Sequence, residues 1–250
     1  MSGKFPDFEP RADGVFSVVV LCGGAGTRLK SLVTDRPKAL ADIGGIPFMD
    51  LLLEYISRQS PRHIYLCAGI LGEQLSTRYS GQGSKITVVV EERPLGTGGA
   101  VKHIVDNIST EWTVICNGDT YVNLDLKKLL ARANDLDGLT VIATSRKEYL
   151  ATDVGVLTFD GARVTGLARG NKGVGENVAV SLGFYIIRTQ ELRKVLAHFR
   201  KIFSLESDML PLMIKRDRVS CILENVQMFD IGTPDRYDRF KNRIRKCKDL

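Results

Sequence analysis

Short β-branched runs alternating with amphipathic helical stretches constrain this chain more than any other feature. Ser17–Leu21, Ile64–Ala68, Ile86–Val90 and Thr113–Cys116 are predominantly apolar, and helical patterns near Met49–Ser57, Gly72–Tyr79 and Gly98–Val105 separate them. Strands joined by helical crossovers lie parallel, so this order predicts a mainly parallel sheet. Beyond it, Val154–Phe159 and Arg163–Ala168 flank Asp160-Gly161, a hairpin signal that marks an inserted mixed region. Helices are predicted over Leu126–Asn134, Gln190–Phe199 and Ser207–Ile214, and strands over Leu139–Thr144, Val178–Ile187 and Val219–Leu223. With 250 residues and 44% hydrophobic content the chain can bury one large core. Residues 15–250 are therefore expected to form a single domain behind a polar leader, residues 1–14, that is flexible or packs at an edge.

The first strand runs into a loop with few ordinary packing residues. After Val18–Leu21, Gly23, Gly24 and Gly26 let the backbone turn sharply and approach a ligand, and Arg28 and Lys38 add positive charge. A planar guanidinium and a compact ammonium suit phosphate oxygens in different geometries. The loop is not a Walker motif, since Thr27, Arg28 and Leu29 follow Gly26, and Leu29 stands where a dinucleotide fingerprint needs its third glycine. A tight strand-to-helix connection is the alternative reading of the glycines alone. It does not explain their combination with Thr27, Arg28, Pro37, Lys38, Gly45 and Pro47.

Two acidic positions stand out. Asp119 ends Cys116-Asn117-Gly118-Asp119 at the carboxyl end of a strand, the edge where open α/β sheets bind ligands. Asp230 lies between apolar Phe229 and Ile231, just before the turn Gly232-Thr233-Pro234. Capping the next turn is one reading of Asp119; a hard-oxygen Mg²⁺ site formed by the two aspartates with phosphate oxygens is the other. His63, His103 and His198 show no ligand spacing for zinc. In FSLESDMLP, Ser204 or Ser207 with Glu206 and Asp208 reads as the start of a helix.

The net charge of +6 raises nucleic acid as a partner, but Lys and Arg are dispersed except in Lys241–Lys248, which reads as a solvated helix face. Cys22, Cys67, Cys116, Cys221 and Cys247 lack CxxC spacing and read as reduced thiols. No apolar segment approaches the roughly 20 residues that span a bilayer. A cytoplasmic protein with neither nucleic acid nor membrane as partner is expected.

The run from Val19 to Pro47 resembles the signature GGxGTRLxxLTxxxPKxxxxxxGxP of the sugar-1-phosphate nucleotidylyltransferases, with Cys22 in place of the usual Ala and Val33 preceding Thr34. The resemblance extends from about Val15 to Tyr237, with landmarks at Glu92–Ala100, Asn117–Asp119, Ser181–Ile187 and Phe229–Tyr237, and within the family it is nearest the D-glycero-α-D-manno-heptose 1-phosphate guanylyltransferases. It implies a Rossmann-like, GT-A-like nucleotidyltransferase fold: α/β, with a mixed, mainly parallel central sheet flanked by helices. No hexapeptide repeats are present in these 250 residues, so the acyltransferase tail of some relatives is not expected. The implied partners are a nucleoside triphosphate and a sugar 1-phosphate, with Mg²⁺ as cofactor and a homo-oligomer left open. The resemblance assigns catalysis to Arg28, Lys38, Asp119 and Asp230, the two aspartates holding the metal. It assigns the nucleotide to Leu21, Gly23, Gly24, Gly26, Thr27, Arg28, Glu92, Pro94, Gly96, Thr97 and Gly118. The sugar phosphate falls to Lys38, Gly155, Asn171, Lys172 and Gly183. Asn171-Lys172 stands for the family's Glu-Lys, and Ser181-Leu182-Gly183 for its Asn-Ala-Gly, which alters how sugar hydroxyls are read; Lys172 as an ordinary loop lysine is the alternative.

Guanine presents adjacent N–H donors that suit a carboxylate, whereas uracil and thymine suit an amide, so Glu91 and Glu92 are candidates that favour GTP; facing solvent or pairing with Arg93 is the alternative for either. Mannose 1-phosphate and uridylyl or thymidylyl transfer stay open as alternatives. So does a nucleotide sensor on the same fold, although a mere binder does not need the full set Arg28, Lys38, Asp119 and Asp230. A glycosyltransferase would want an Asp-x-Asp pair, and Asn117-Gly118-Asp119 lacks the first acid.

Overall fold

The computed structural model describes residues 15–24, 27–29, 35–81, 85–149, 154–170 and 177–248, without the side chains of residues 27, 147 and 246–248. The leader 1–14, Gly26, Asn171 and Lys172 lie outside the described residues. In chain order the elements are β1 (Phe16–Cys22), α1 (Phe48–Arg58), β2 (Ile64–Ala68), α2 (Gly72–Tyr79), β3 (Ile86–Val90), α3 (Gly96–Ile104), β4 (Trp112–Asn117), β5 (Thr120–Val122), α4 (Leu126–Ala133) and β6 (Leu139–Thr144). The hairpin β7 (Gly155–Asp160) and β8 (Arg163–Arg169) follows, then β9 (Val178–Arg188), α5 (Thr189–Ala197), α6 (Leu210–Lys215), β10 (Val219–Leu223), β11 (Met228–Asp230) and α7 (Pro234–Lys248).

Nine strands form one sheet in the order β3-β2-β1-β4-β9-β6-β10-β8-β7. β1 to β4 are mutually parallel, and β6 and β10 share their direction because β9 runs antiparallel to both β4 and β6. The expected mixed, mainly parallel sheet is therefore present. Alternation along β1 feeds two cores. Val18 and Val20 face α1, α4 and α7, while Val19 faces α3, α5 and α6. All three valines are fully buried, which at roughly 1.5–3 kcal/mol per side chain anchors the strand that leads into the glycine-rich loop.

β9 changes partners along its length. Its end pairs with β4, its start pairs with β7, and β6, β10, β8 and β7 close a ring of pairings back onto it. The change occurs at a bulge: Ile142 opposes Phe184 but Ala143 opposes Ser181, so Leu182 and Gly183 are extra. Gly183 sits at φ +71°, and a Cβ there would lie 2.6 Å from Asn117 Nδ2, so this position admits only glycine without rearrangement.

A second, two-stranded antiparallel sheet pairs β5 with β11 beside the carboxyl ends of the parallel strands. α7 locks it down through Phe240, whose ring lies 5.7 Å from Tyr121, 5.1 Å from Phe229 and 5.8 Å from Phe48. The terminal basic run is thus only partly a solvated face: Lys241 sits over the Tyr237 ring at 5.3 Å and 3.6 Å from Asp42, and Tyr237 and Phe240 are buried.

Candidate active site

The carboxyl ends of β1, β3 and β4, the start of α3 and the β5–β11 sheet surround one cleft of about 1180 Å³. Every mutually parallel strand delivers its following loop to the same edge, which is why residues far apart in sequence meet there. Leu21, Gly23 and Gly24 end β1, and Arg28 follows on a 3₁₀ turn, Thr27–Leu29, pinned by the buried Leu29. Lys38 opens a second 3₁₀ turn, Lys38–Leu40, closed by Ala41 N–H donating to the Lys38 carbonyl at 3.0 Å. Glu92, Pro94, Gly96, Thr97, Gly118, Asp119, Gly155, Gly183 and Asp230 line the same cleft.

Asp119 and Asp230 are brought together by backbone pairing. Asp230 opposes Thr120 in the small sheet, and Ile231 N–H donates to the Asp119 carbonyl at 3.0 Å. Each carboxylate meets a cation. Lys38 Nζ donates to Asp119 Oδ2 at 2.6 Å, and Arg236 Nη1 donates to Asp230 Oδ1 at 3.2 Å. Asp230 Oδ1 also accepts from Gly232 N–H at 2.9 Å, and Asp119 Oδ1 from Thr120 Oγ1 at 3.2 Å. Among the described residues no cluster of three or more His, Cys, Asp or Glu could hold a metal by itself. Two neighbouring carboxylates are the kind of hard-oxygen donor set that Mg²⁺ takes, a shell that phosphate oxygens and water commonly complete.

The two glutamates after β3 differ. Glu91 is half-buried, faces Gly23, and accepts from Leu95 N–H at 3.0 Å. Burial raises its pKa, opposed by the Leu95 N–H and by His103. Glu92 is exposed on the rim.

Three further cleft residues were not singled out for the site in the sequence. Arg236 comes from the first turn of α7. Glu206 stands on a π-helical turn, Leu205–Met209, and accepts from Thr97 Oγ1 at 2.8 Å and Ser204 Oγ at 3.3 Å. Tyr185 is buried, with its hydroxyl pKa raised by burial and by the neighbouring Glu206 carboxylate. The expected helix start at Ser204 is present: its hydroxyl accepts from Ser207 N–H at 3.0 Å, and Asp208 accepts from Ser204 N–H at 2.6 Å. Single π turns concentrate at functional sites, but FSLESDMLP shows only the cap, not the widened turn that aims Glu206 inward.

Residues 17–246 match the family model described as nucleotidyl transferase. The chain belongs to the nucleotidyl transferase family. This nucleotidyl transferase is 30% identical over 234 residues to the D-glycero-α-D-manno-heptose 1-phosphate guanylyltransferase of Campylobacter jejuni, covering 89% of this chain and 97% of that protein. It is likewise 30% identical over 229 residues to the enzyme of the same name from Aneurinibacillus thermoaerophilus, covering 90% and 97%. Among solved structures it is similar to HddC from Yersinia pseudotuberculosis complexed with GMP-PN, with a TM-score of 0.74 and 29% identity over 91% of this chain and 99% of that one. No helix among the described residues of the nucleotidyl transferase is long and apolar enough to cross a membrane.

Proposed function

We propose that this enzyme transfers a guanylyl group from GTP to D-glycero-α-D-manno-heptose 1-phosphate, forming the GDP-sugar and pyrophosphate. The observation that carries the choice of base is Glu91, a half-buried carboxylate with one oxygen held by Leu95 N–H and the other facing the glycine-rich loop, where it suits the N–H donors of guanine. The choice of sugar is supported by the two heptose 1-phosphate guanylyltransferases matched over about nine-tenths of this chain.

A sugar 1-phosphate, with its second pKa near 6, is mostly a dianion at neutral pH and needs no general base. One of its oxygens attacks the α-phosphorus in line. As the new P–O bond forms, the bond to the bridging oxygen breaks and its electron pair leaves with pyrophosphate. The protein overcomes repulsion between two anions by positioning and charge. In this reading Arg28 receives the leaving phosphates, and Lys38 lies between the attacking and α-phosphates. Gly23, Gly24, Gly26 and Thr27 let the backbone cradle the triphosphate, with Leu21, Pro94, Gly96, Thr97 and Gly118 around the nucleoside. Gly155, Asn171, Lys172 and Gly183 take the sugar phosphate. Asp119 and Asp230 would hold Mg²⁺, which supplies charge neutralisation at the phosphate oxygens. We read residues 15–250 as one domain. We place it in the cytoplasm, which supplies nucleoside triphosphates and keeps buried thiols such as Cys67 and Cys116 reduced.

Pyrophosphate release with Mg²⁺ across GTP, UTP, dTTP, CTP and ATP, each with mannose, glucose and D-glycero-α-D-manno-heptose 1-phosphates, tests this. GTP with the heptose is expected to give the highest kcat/KM. A different preferred pair overturns the specificity, and silence with every pair despite nucleotide binding overturns the catalytic reading.

A further inference from the structure

Arg236 occupies a place that the proposed reaction does not use. It is the third residue of α7, whose start is held by Tyr237 N–H donating to the Thr233 carbonyl at 2.9 Å. Its side chain is 24% exposed and meets Asp230, 18% exposed, at 3.2 Å. Lys38, 14% exposed, meets Asp119 at 2.6 Å. The two pairs are one cluster: a Cβ placed on Gly232 would lie 3.8 Å from both Arg236 Nη1 and Lys38 Nζ. Two carboxylates and two cations therefore converge on one spot at the cleft wall and balance in charge.

That balance fails once the carboxylates ligate a divalent cation. Asp230 Oδ1 already accepts from Gly232 N–H and from Arg236, and a divalent ion on this carboxylate repels the guanidinium held against it. A guanidinium displaced from Asp230 remains tethered to the first turn of α7 and facing the cleft, beside Lys38. Its planar fork matches a phosphate in two-point contact, which the Lys38 ammonium cannot do. We propose that Arg236 holds Asp230 in the substrate-free enzyme and transfers to the phosphate of the sugar 1-phosphate when the metal site fills. This inference rests on the reading of Asp119 and Asp230 as metal carboxylates. Arg236 is then both a competitor of the metal and a binder of the attacking substrate, so removing it moves the two affinities in opposite directions.

The full chain and its Arg236→Gln variant are titrated with Mn²⁺ alone, followed by electron paramagnetic resonance, and KM for the sugar 1-phosphate is measured separately. Arg236→Gln is expected to bind Mn²⁺ about 3- to 10-fold more tightly without substrates. It is expected to raise KM for the sugar 1-phosphate about 10- to 100-fold, the range of a lost charge-assisted hydrogen bond. A merely structural arginine would weaken both or neither. Arg236→Lys, which keeps a charge but loses the fork, is expected to recover part of the KM and stands in if the Gln variant does not fold. Mn²⁺ affinity unchanged or weakened in a folded Arg236 variant overturns the inference. If Asp230→Asn abolishes Mn²⁺ binding in the same experiment, the metal reading stands without it. Mn²⁺ binding indifferent to both Asp119→Asn and Asp230→Asn overturns the metal reading and the inference together.

Discussion

Replacing Glu91 by Gln preserves shape and removes one charge, so it isolates what the carboxylate does for base choice. One Glu91 oxygen is committed to Leu95 N–H at 3.0 Å, which orients the head group, and the other lies near Gly23. In the Gln variant the amide oxygen keeps the Leu95 contact, and the NH₂ group then faces guanine's own N–H donors. The variant loses a charge-assisted hydrogen bond, about 1.5–3 kcal/mol, and gains a donor–donor opposition. At 1.4 kcal/mol per factor of ten, kcat/KM for GTP should fall about 10- to 150-fold. UTP, which offers a donor between two acceptors, should be affected less, so the GTP to UTP ratio narrows by a similar factor. Competition kinetics with both triphosphates reads this ratio directly, and the melting temperature checks that the Leu95 contact survives. Glu91 has a raised pKa, so protonation weakens GTP binding as pH falls toward that value, and the Gln variant should lose this dependence. A Glu91→Gln enzyme that keeps its GTP preference within twofold, while Glu92→Gln shifts it, would refute the reasoning.

Arg28→Ala should reduce turnover on the order of 100-fold or more if Arg28 meets charge developing on the leaving phosphates; a steady-state loss of only a few-fold removes it from that role. Gly118→Ala places a Cβ 2.8 Å from Cys22 Cβ and 2.9 Å from the Leu21 carbonyl oxygen, both on the end of β1. Overpacking against that backbone should cost about 1–3 kcal/mol and lower the melting temperature by roughly 3–10 °C, with KM for the nucleotide raised. A calorimetric midpoint within a degree of wild type contradicts it. His63 is buried beside Thr87, 2.7 Å from its hydroxyl, and burial followed by the Arg62 charge lowers its pKa to about 4. The unfolded chain takes up that proton near pH 6.5 and the folded chain does not, so stability present above 6.5 is lost as pH falls toward 4. On the order of 2 kcal/mol is at stake, and urea unfolding of wild type and His63→Gln at pH 7 and 4.5 should show the difference shrinking in the variant.

The strands of the parallel sheet were legible because Val and Ile runs such as Val18–Val20 and Val88–Val90 fit few other structures. The pair that positions the aspartates was not. β5 and β11 are three residues each, too short for alternation to register, and their partnership spans more than a hundred residues. The buried face of α7 was hidden by its own charge: Tyr237 and Phe240 are buried, but the surrounding Lys and Arg read as solvated. The split between Glu91 and Glu92 depended on the end of β3, where a one-residue shift exchanges cleft for rim. Gly183 could be noted in sequence, but the bulge that requires it exists only through pairing with β6 and packing on Asn117.

Charge in the cleft argues for chemistry over storage. Arg28, Lys38 and Arg236 would suffice to attract a triphosphate, and a protein that only bound nucleotide would gain by having no carboxylate beside them. Here Asp119 and Asp230 pair directly with Lys38 and Arg236 and spend the field those cations would offer to phosphate. A triphosphate and a sugar 1-phosphate together bring about six negative charges at neutral pH, which makes two bare carboxylates among them strongly unfavourable. On the proposed reading, a divalent cation between carboxylates and phosphates makes the arrangement favourable and returns both cations to the substrates. If Asp119→Asn and Asp230→Asn bind GTP more tightly than wild type in the absence of metal yet turn over at least 100-fold more slowly with it, the two aspartates serve the transition state at the expense of ground-state binding. Equal losses of binding and turnover would instead make them ordinary supports of the cleft wall.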